Sequence, residues 1–314
     1  MKILLLGANG QVGHELLTTL RPLGEVTAAT RSGRLVDEAE CEIVDLADST
    51  SLLSLLDRVT PELIVNAAAY TAVDRAENEP EQADLINHRA MAMIGDWAHA
   101  NDALVVHYST DYVFDGKAST PYHESDSTAP LGVYGRSKLA GEEALRASSA
   151  RHFIFRTAWV YAARGGNFLR TMLRIGAERD ELRVVNDQVG TPTPAGLIAS
   201  RTADVLQRWM RLDQADQQQA LGTYHLTTSE PCSWFDFATA IFAQAQAAGI
   251  IDRSPRLVPI PSSEYPTPAQ RPDWSVLDNG KLALVFGLTA PPWQQGLRDV
   301  IAQLRSDPKL VTTC

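Results

Sequence analysis

At 314 residues the chain is longer than one typical domain, so a core domain with a second lobe is expected. A hydrophobic fraction of 45% and a charged fraction of 21% are ordinary for a globular protein, and a net charge of -10 argues against nucleic acid as a partner. The 3 cysteines (Cys41, Cys232 and Cys314) are odd in number and far apart, which excludes a disulfide framework and a Cys-x-x-Cys metal site.

The opening run Ile3-Leu4-Leu5-Leu6 is too short for a signal peptide, and no later run approaches the roughly 18 apolar residues of a membrane span. A cytoplasmic protein with reduced thiols and no membrane partner is the expectation. The same run is apt for a strand buried on both faces of a parallel sheet. It feeds Gly7-Ala8-Asn9-Gly10-Gln11-Val12-Gly13, after which Val12, Leu16, Leu17 and Leu20 take up helical spacing. Glycines at this spacing between a strand and a helix permit a tight turn and a close approach of backbone to a pyrophosphate, which the helix N-terminus attracts.

Val26 to Thr30 reads as the second strand. An acid at its end would accept from adenosine ribose hydroxyls and suit NAD; here stand Thr30, Arg31 and, further on, Arg34, which suit a 2'-phosphate unless they are merely solvated. NADPH is therefore the expected cofactor, with NADH as a second candidate. Glu42 to Leu46 reads as a third strand bearing Asp45, a partner for the adenine amine. Ser51 to Val59 is an amphipathic helix stopped by Pro61, and Leu63 to Asn66 is a fourth strand. Ala67-Ala68-Ala69-Tyr70-Thr71 follows, where small residues either let a ligand lie close or form an ordinary loop. Glu81 to Asn101 reads as one long helix and Ala103 to Tyr108 as the fifth strand. Ser109, Thr110 and Asp111 sit at its carboxyl end, where ligands of open parallel sheets gather, although such residues also close strand-end turns.

Val133 begins a helix carrying Tyr134 and Lys138, a phenol and an ammonium four residues apart on one face. A fixed positive charge nearby favours the phenolate, so the pair is a candidate proton donor, with an exposed Tyr and Lys as the alternative. Phe153 to Thr157 is a sixth strand. The alternation of strands and helices gives a Rossmann-type α/β fold, a doubly wound parallel sheet with a smaller C-terminal α/β substrate-binding lobe. The expected boundaries are 1–165 for the NAD(P)-binding domain and 166–314 for the lobe, with segments near 182–200 and 221–249 packing back on the sheet. Helices are expected near Phe168 to Ile175, Ala195 to Trp209 and Trp234 to Ala247, and short strands at Leu182 to Val185 and Tyr224 to Thr227. In the rigid loop Tyr265 to Pro272, Arg271 either clamps a diphosphate or is surface charge. Trp159 is either core or a platform for a sugar or base.

These pieces in order resemble the extended short-chain dehydrogenases/reductases, and among them the dTDP-4-dehydrorhamnose reductases. The strings that carry the resemblance include Tyr108-Ser109-Thr110-Asp111-Tyr112-Val113-Phe114, Tyr134 with Lys138-Leu139-Ala140-Gly141-Glu142, and Tyr265-Pro266-Thr267-Pro268-Ala269. The resemblance implies Tyr134 as proton donor, Lys138 on the nicotinamide ribose and Thr110 on the reacting oxygen. It implies a cofactor lined by Gly7, Gly10, Gln11, Val12, Gly13, Asp45, Leu46, Ala67, Ala69, Tyr70, Thr71 and Tyr108. Asp111 and Trp159 would meet a dTDP-sugar, with reduction at C4 as the reaction. Some members dimerise through magnesium held by glutamates; Glu15 matches one such position, but Thr191 to Gly196 and Gln294-Gln295 offer no second acid, so monomer and homodimer both stand. A reductase or epimerase of another 4-keto sugar, and a non-catalytic NADP-binding regulatory subunit, are the alternatives that the same fold allows.

Overall fold

The computed structural model describes residues 1–307 and 310; Cys314 lies outside them. Seven parallel strands form the central sheet. In chain order they are β1 (Lys2–Leu6), β2 (Glu25–Thr30), β3 (Glu42–Ile43), β4 (Leu63–Asn66), β5 (Leu104–Thr110), β6 (His152–Thr157) and a seventh strand, Gly222–His225. In space they run seventh strand, β6, β5, β4, β1, β2, β3. The order reverses direction between β1 and β4, the switch point above which such sheets bind ligands.

The apolar runs explain the sheet. Ile3, Leu4, Leu5 and Leu6 are fully buried, and alternate residues enter opposite cores. Each is worth about 1.5–3 kcal/mol relative to exposure. Ile3 and Leu5 meet the helices Gln11–Thr19 and Ala195–Trp209 through Leu16, Ile198 and Leu206. Leu4 and Leu6 meet Ser49–Val59 and Ala90–Ala100 through Leu52, Leu56, Met91 and Ile94.

Two expected elements differ. The third strand ends at Ile43 instead of Leu46, because Asp45 Oδ1 accepts from the Ala47 amide and Asp48 then caps the next helix through Thr50 and Ser51. Local carboxylate-to-backbone bonds here compete with ladder pairing. The long helix expected from Glu81 starts at Pro80 and contains a π turn, Leu85–Arg89, between Pro80–Asp84 and Ala90–Ala100. That turn rotates Asn87 inward, where it is 1% exposed.

Beyond β6 a second core forms. Phe168–Glu178, Trp234–Ala247 and Trp293–Ser306 bury Leu169, Phe237, Ile241 and Leu297 against one another. Glu181–Val185 pairs in parallel with Arg256–Ile260 in this lobe, while Ala195–Trp209 and Gly222–His225 pack on the central sheet. Among the described residues, no helix is long and apolar enough to cross a membrane.

Candidate functional site

A cleft of about 740 Å³ opens above the carboxyl ends of β1, β2, β4, β5 and β6. Its floor at one end is the glycine turn. Gly7 has φ +79, and a Cβ there would stand 2.6 Å from the Ala68 nitrogen. Gly13 lies beneath, where a Cβ would meet the Gly7 carbonyl oxygen at 2.1 Å, so this glycine serves packing and does not line the cleft. Gly10 caps the helix Gln11–Thr19 with no side-chain hydrogen bond and no acid in the first turn, leaving its amide donors directed at the cleft. Gln11 and Val12 line the same end, and the Gln11 Oε1 accepts from Asn167 Nδ2 at 2.9 Å, joining the turn to the second lobe.

Thr30, Arg31, Ser32, Asp45 and Leu46 line the next wall. Thr30 is buried, its Oγ1 donating to the Arg34 carbonyl at 3.2 Å. Arg31 is exposed at the rim and enters no ion pair among the described residues, whereas Arg34 pairs with Glu38 and stays outside the lining. Ala67, Ala69 and Thr71 line the middle. Tyr70 does not: its hydroxyl donates to Glu79 Oε2 at 2.6 Å, and its backbone is gripped by Asn87, which accepts from Tyr70 N at 2.8 Å and donates to Tyr70 O at 3.1 Å. Asn87 also donates to Ser137 Oγ at 3.0 Å, locking this loop to the helix that carries Tyr134.

That helix, Val133–Ala147, starts at Gly132, which has no side chain to cap it; Glu77 Oε1 accepts from the Val133 amide at 2.8 Å instead. Tyr134 and Lys138 both face the cleft. Burial pushes the Tyr134 phenol up to about 12; a hydrogen bond with Thr110 pulls it down and the nearby Asp111 carboxylate raises it. The Lys138 ammonium does not set this value, contrary to the expectation from spacing alone. Its Nζ donates to the Tyr108 carbonyl at 2.7 Å and lies 3.1 Å from His107 Nε2. Burial brings Lys138 down to about 8, with Glu142 opposing.

Thr110 Oγ1 donates to Asp111 Oδ1 at 2.9 Å. Asp111 is 2% exposed, and burial lifts its carboxyl to about 6. The Tyr108 phenol turns into the core to share a 2.8 Å hydrogen bond with Thr202 Oγ1, so only part of this residue reaches the lining. Trp159 lines the far end with φ +48, its ring stacked on Trp234 at 3.4 Å. Arg271 lies outside the lining and forms a two-point ion pair with Asp74, Nη1 to Oδ1 at 3.1 Å and Nη2 to Oδ2 at 2.8 Å. Glu15 lines a neighbouring cavity, and among the described residues no group of three His, Cys, Asp or Glu could hold a metal ion.

Sequence reasoning missed His107, Asn87 and Glu77. A histidine inside the apolar strand Leu104-Val105-Val106-His107 was a signal, since a polar side chain buried there needs a partner. Asn87 had none, because its inward aim depends on the π turn.

The sequence model of the family described as RmlD substrate binding domain matches residues 1–306. A dTDP-4-dehydrorhamnose reductase of Escherichia coli (strain K12) is 44% identical over 97% of this chain and 98% of its own. One from Burkholderia thailandensis is 45% identical over 96% of this chain and 100% of its own. The crystal structure of a dTDP-4-dehydrorhamnose reductase from Bacillus anthracis, in complex with NADP, superposes with a TM-score of 0.83 at 31% identity, over 96% of this chain and 99% of that one.

Proposed function

The chain belongs to the RmlD substrate-binding-domain family, and from that premise we propose that it is an NADPH-dependent oxidoreductase converting dTDP-4-dehydro-L-rhamnose to dTDP-L-rhamnose. The product would serve cell-surface polysaccharide such as lipopolysaccharide O-antigen, and the enzyme would work in the cytoplasm, where nucleotide sugar and NADPH meet. The observation that carries the reading is one cleft with an uncapped, glycine-bounded helix start at one end and Tyr134, Thr110 and Lys138 together at the other.

The residues present fit a dinucleotide. Gly7 at φ +79 makes the tight turn beneath the cleft, and the first-turn amides of the helix Gln11–Thr19, which no side chain caps among the described residues, offer an anion hydrogen-bond donors. Gly10, Gln11 and Val12 would hold the pyrophosphate, Thr30 and Arg31 the adenosine end, and Ala67, Ala69 and Thr71 the middle. Arg31 without a carboxylate beside it supports NADPH over NADH.

NADPH, when bound, would supply the hydride for the C4 carbonyl carbon. Tyr134 gives its proton to the oxygen as negative charge develops, and Thr110 hydrogen-bonds that oxygen. Lys138 would hold the ribose, and its positive charge would favour the phenolate left once Tyr134 has given up its proton. Asp111 and Trp159 would hold the sugar nucleotide, and Arg271 its diphosphate. Residues 1–165, with Ala195–Trp209 and Gly222–His225 packed back on their sheet, would then be the cofactor domain and the rest of 166–314 the substrate lobe.

The test is loss of reduced-nicotinamide absorbance with dTDP-4-dehydro-L-rhamnose. Turnover by the native chain is expected, and Tyr134→Phe should lose about 10²–10⁴-fold in kcat with NADPH affinity unchanged. A native chain that leaves this substrate untouched sinks the function; near-normal turnover in Tyr134→Phe sinks the role of the phenol. Glu15 stands as the candidate magnesium ligand of a homodimer. Turnover and sedimentation measured with and without magnesium test both together.

A further inference from the structure

We propose that His107 is a positioning residue for Lys138: its neutral imidazole accepts from the ammonium at Nε2, so that with the Tyr108 carbonyl strand β5 holds two of the three ammonium hydrogens and leaves one for the cleft. The inference rests on the reductase reading above only for its catalytic consequence.

The geometry is specific. His107 is 1% exposed and Lys138 2%, so their contact is shielded from bulk solvent. Lys138 is anchored at 2.7 Å by Tyr108 O and at 3.1 Å by His107 Nε2. A neutral imidazole accepts at one nitrogen only. The Asn66 Nδ2, 3.4 Å from the other ring nitrogen, directs a hydrogen to Met91 Sδ at 2.9 Å instead, and the Asn66 amide is oriented by its Oδ1, which accepts from the Ala68 amide at 3.1 Å. The contact to the ammonium is shorter and charge-assisted, so it decides the tautomer: Nδ1 carries the proton and Nε2 accepts. The His107 ring stays neutral because burial and the charges of Lys138 and His152 all oppose its protonation. The groups facing the Lys138 amine are His107 and the Tyr108 carbonyl from β5 and Glu142 from its own helix. Glu142 favours the ammonium but is committed to Arg156 at 2.9 and 2.7 Å. His107 is thus the neutral side chain that bonds the amine directly.

The variants His107→Leu and His107→Gln separate this role from packing. Leu fills similar volume with no acceptor; Gln returns a neutral acceptor. Lys138 is titrated by ¹⁵Nζ NMR in the full chain, its signal identified among the five lysines by its loss in Lys138→Met. Removing an acceptor disfavours the charged amine, so in His107→Leu the Lys138 pKa should fall by about one unit or more. The basic limb of the kcat profile should move down with it, with kcat at pH 8 reduced about fivefold or more. His107→Gln should restore the titration and most of kcat. An unmoved Lys138 titration in His107→Leu, or a Gln variant no better than Leu, overturns the proposal. If His107→Leu does not fold, His107→Asn, too short to reach the amine, replaces it with the same expectation. A native chain without turnover would sink the reductase reading alone, since the NMR titration still decides this one.

Discussion

Asp74 and Arg271, 197 positions apart, form a two-point ion pair that ties the Pro-rich loop to the short helix Val73–Ala76 beside the cleft. Asp74 Oδ1 also accepts from the Ala269 amide at 3.2 Å, so one carboxylate holds both the loop backbone and its arginine. The Arg271 guanidinium keeps the Asp74 carboxyl below the usual carboxylate range. On the proposed function this pair presents Arg271 to the substrate diphosphate. We expect Asp74→Asn and Arg271→Ala each to raise KM for the nucleotide sugar about 10-fold, the order of one truncated charged hydrogen bond. NADPH affinity and kcat should change little. The double variant should be no worse than the worse single one, because each removes the same arrangement. Additive losses would show that the two act separately.

The pH dependence follows from two displaced groups. Lys138 is depressed from 10.5 to about 8, so its positive charge is present below that pH and lost above it. Tyr134 is raised to about 12 and keeps its transferable proton throughout this range. Asp111 is raised from 3.8 to about 6, so its negative charge is lost as the pH falls below that value. A profile of kcat/KM against pH for the native chain should be bell-shaped, with an acid limb near 6 and a basic limb near 8. Asp111→Asn should abolish the acid limb and leave the basic one. A native profile flat from pH 5 to 9 would contradict both assignments.

Arg31 stands at the rim of the cleft without a counter-ion among the described residues, next to the buried Thr30 where a carboxylate would favour NADH. Arg31→Ala should weaken NADPH binding by about 10-fold, the loss of one charge-assisted bond to phosphate, and leave NADH binding unchanged. Isothermal titration with both nucleotides reads this directly. Equal losses for the two would mean that Arg31 contacts something common to both.

Much of this arrangement was legible because local pattern and tertiary fate agree. The run Ile3–Leu6 has one sensible destination, and Gly7, Gly10 and Gly13 follow it in the only order that lets a helix start so near a strand. Ala195–Trp209 and Trp234–Ala247 begin and end as their periodicity predicts. Illegible were contacts made across the chain. Tyr134 and Lys138 do share a helix face, but spacing could not show that the ammonium is drawn to β5, since His107 and the Tyr108 carbonyl belong to another element. Tyr70 follows the alanines as a cofactor residue would, yet Glu79 takes its hydroxyl. Asp45 was visible as an acid, but not its bond to the Ala47 amide, which ends β3 early.

Asp111 gives the sharpest link between site and stability. Its folded pKa of about 6 lies above the 3.8 of the exposed group, so the native state binds the proton more tightly than the unfolded chain. Stability therefore falls as pH rises between these two values and stays lowered above pH 6. Two units of displacement correspond to about 3 kcal/mol, an upper figure for what the ionised carboxylate costs the fold. The neutral isostere Asp111→Asn removes that cost. At pH 8 the variant should melt higher than the native chain, and at pH 4, where the native carboxyl is protonated, the advantage should largely vanish. Turnover should drop in the same variant, because the charge that strains the fold is the one proposed to hold the sugar. Melting curves at the two pH values check the first half and initial rates the second. An Asn variant that melts lower at pH 8 would show that the carboxylate is stabilised by its neighbours and not tolerated for function.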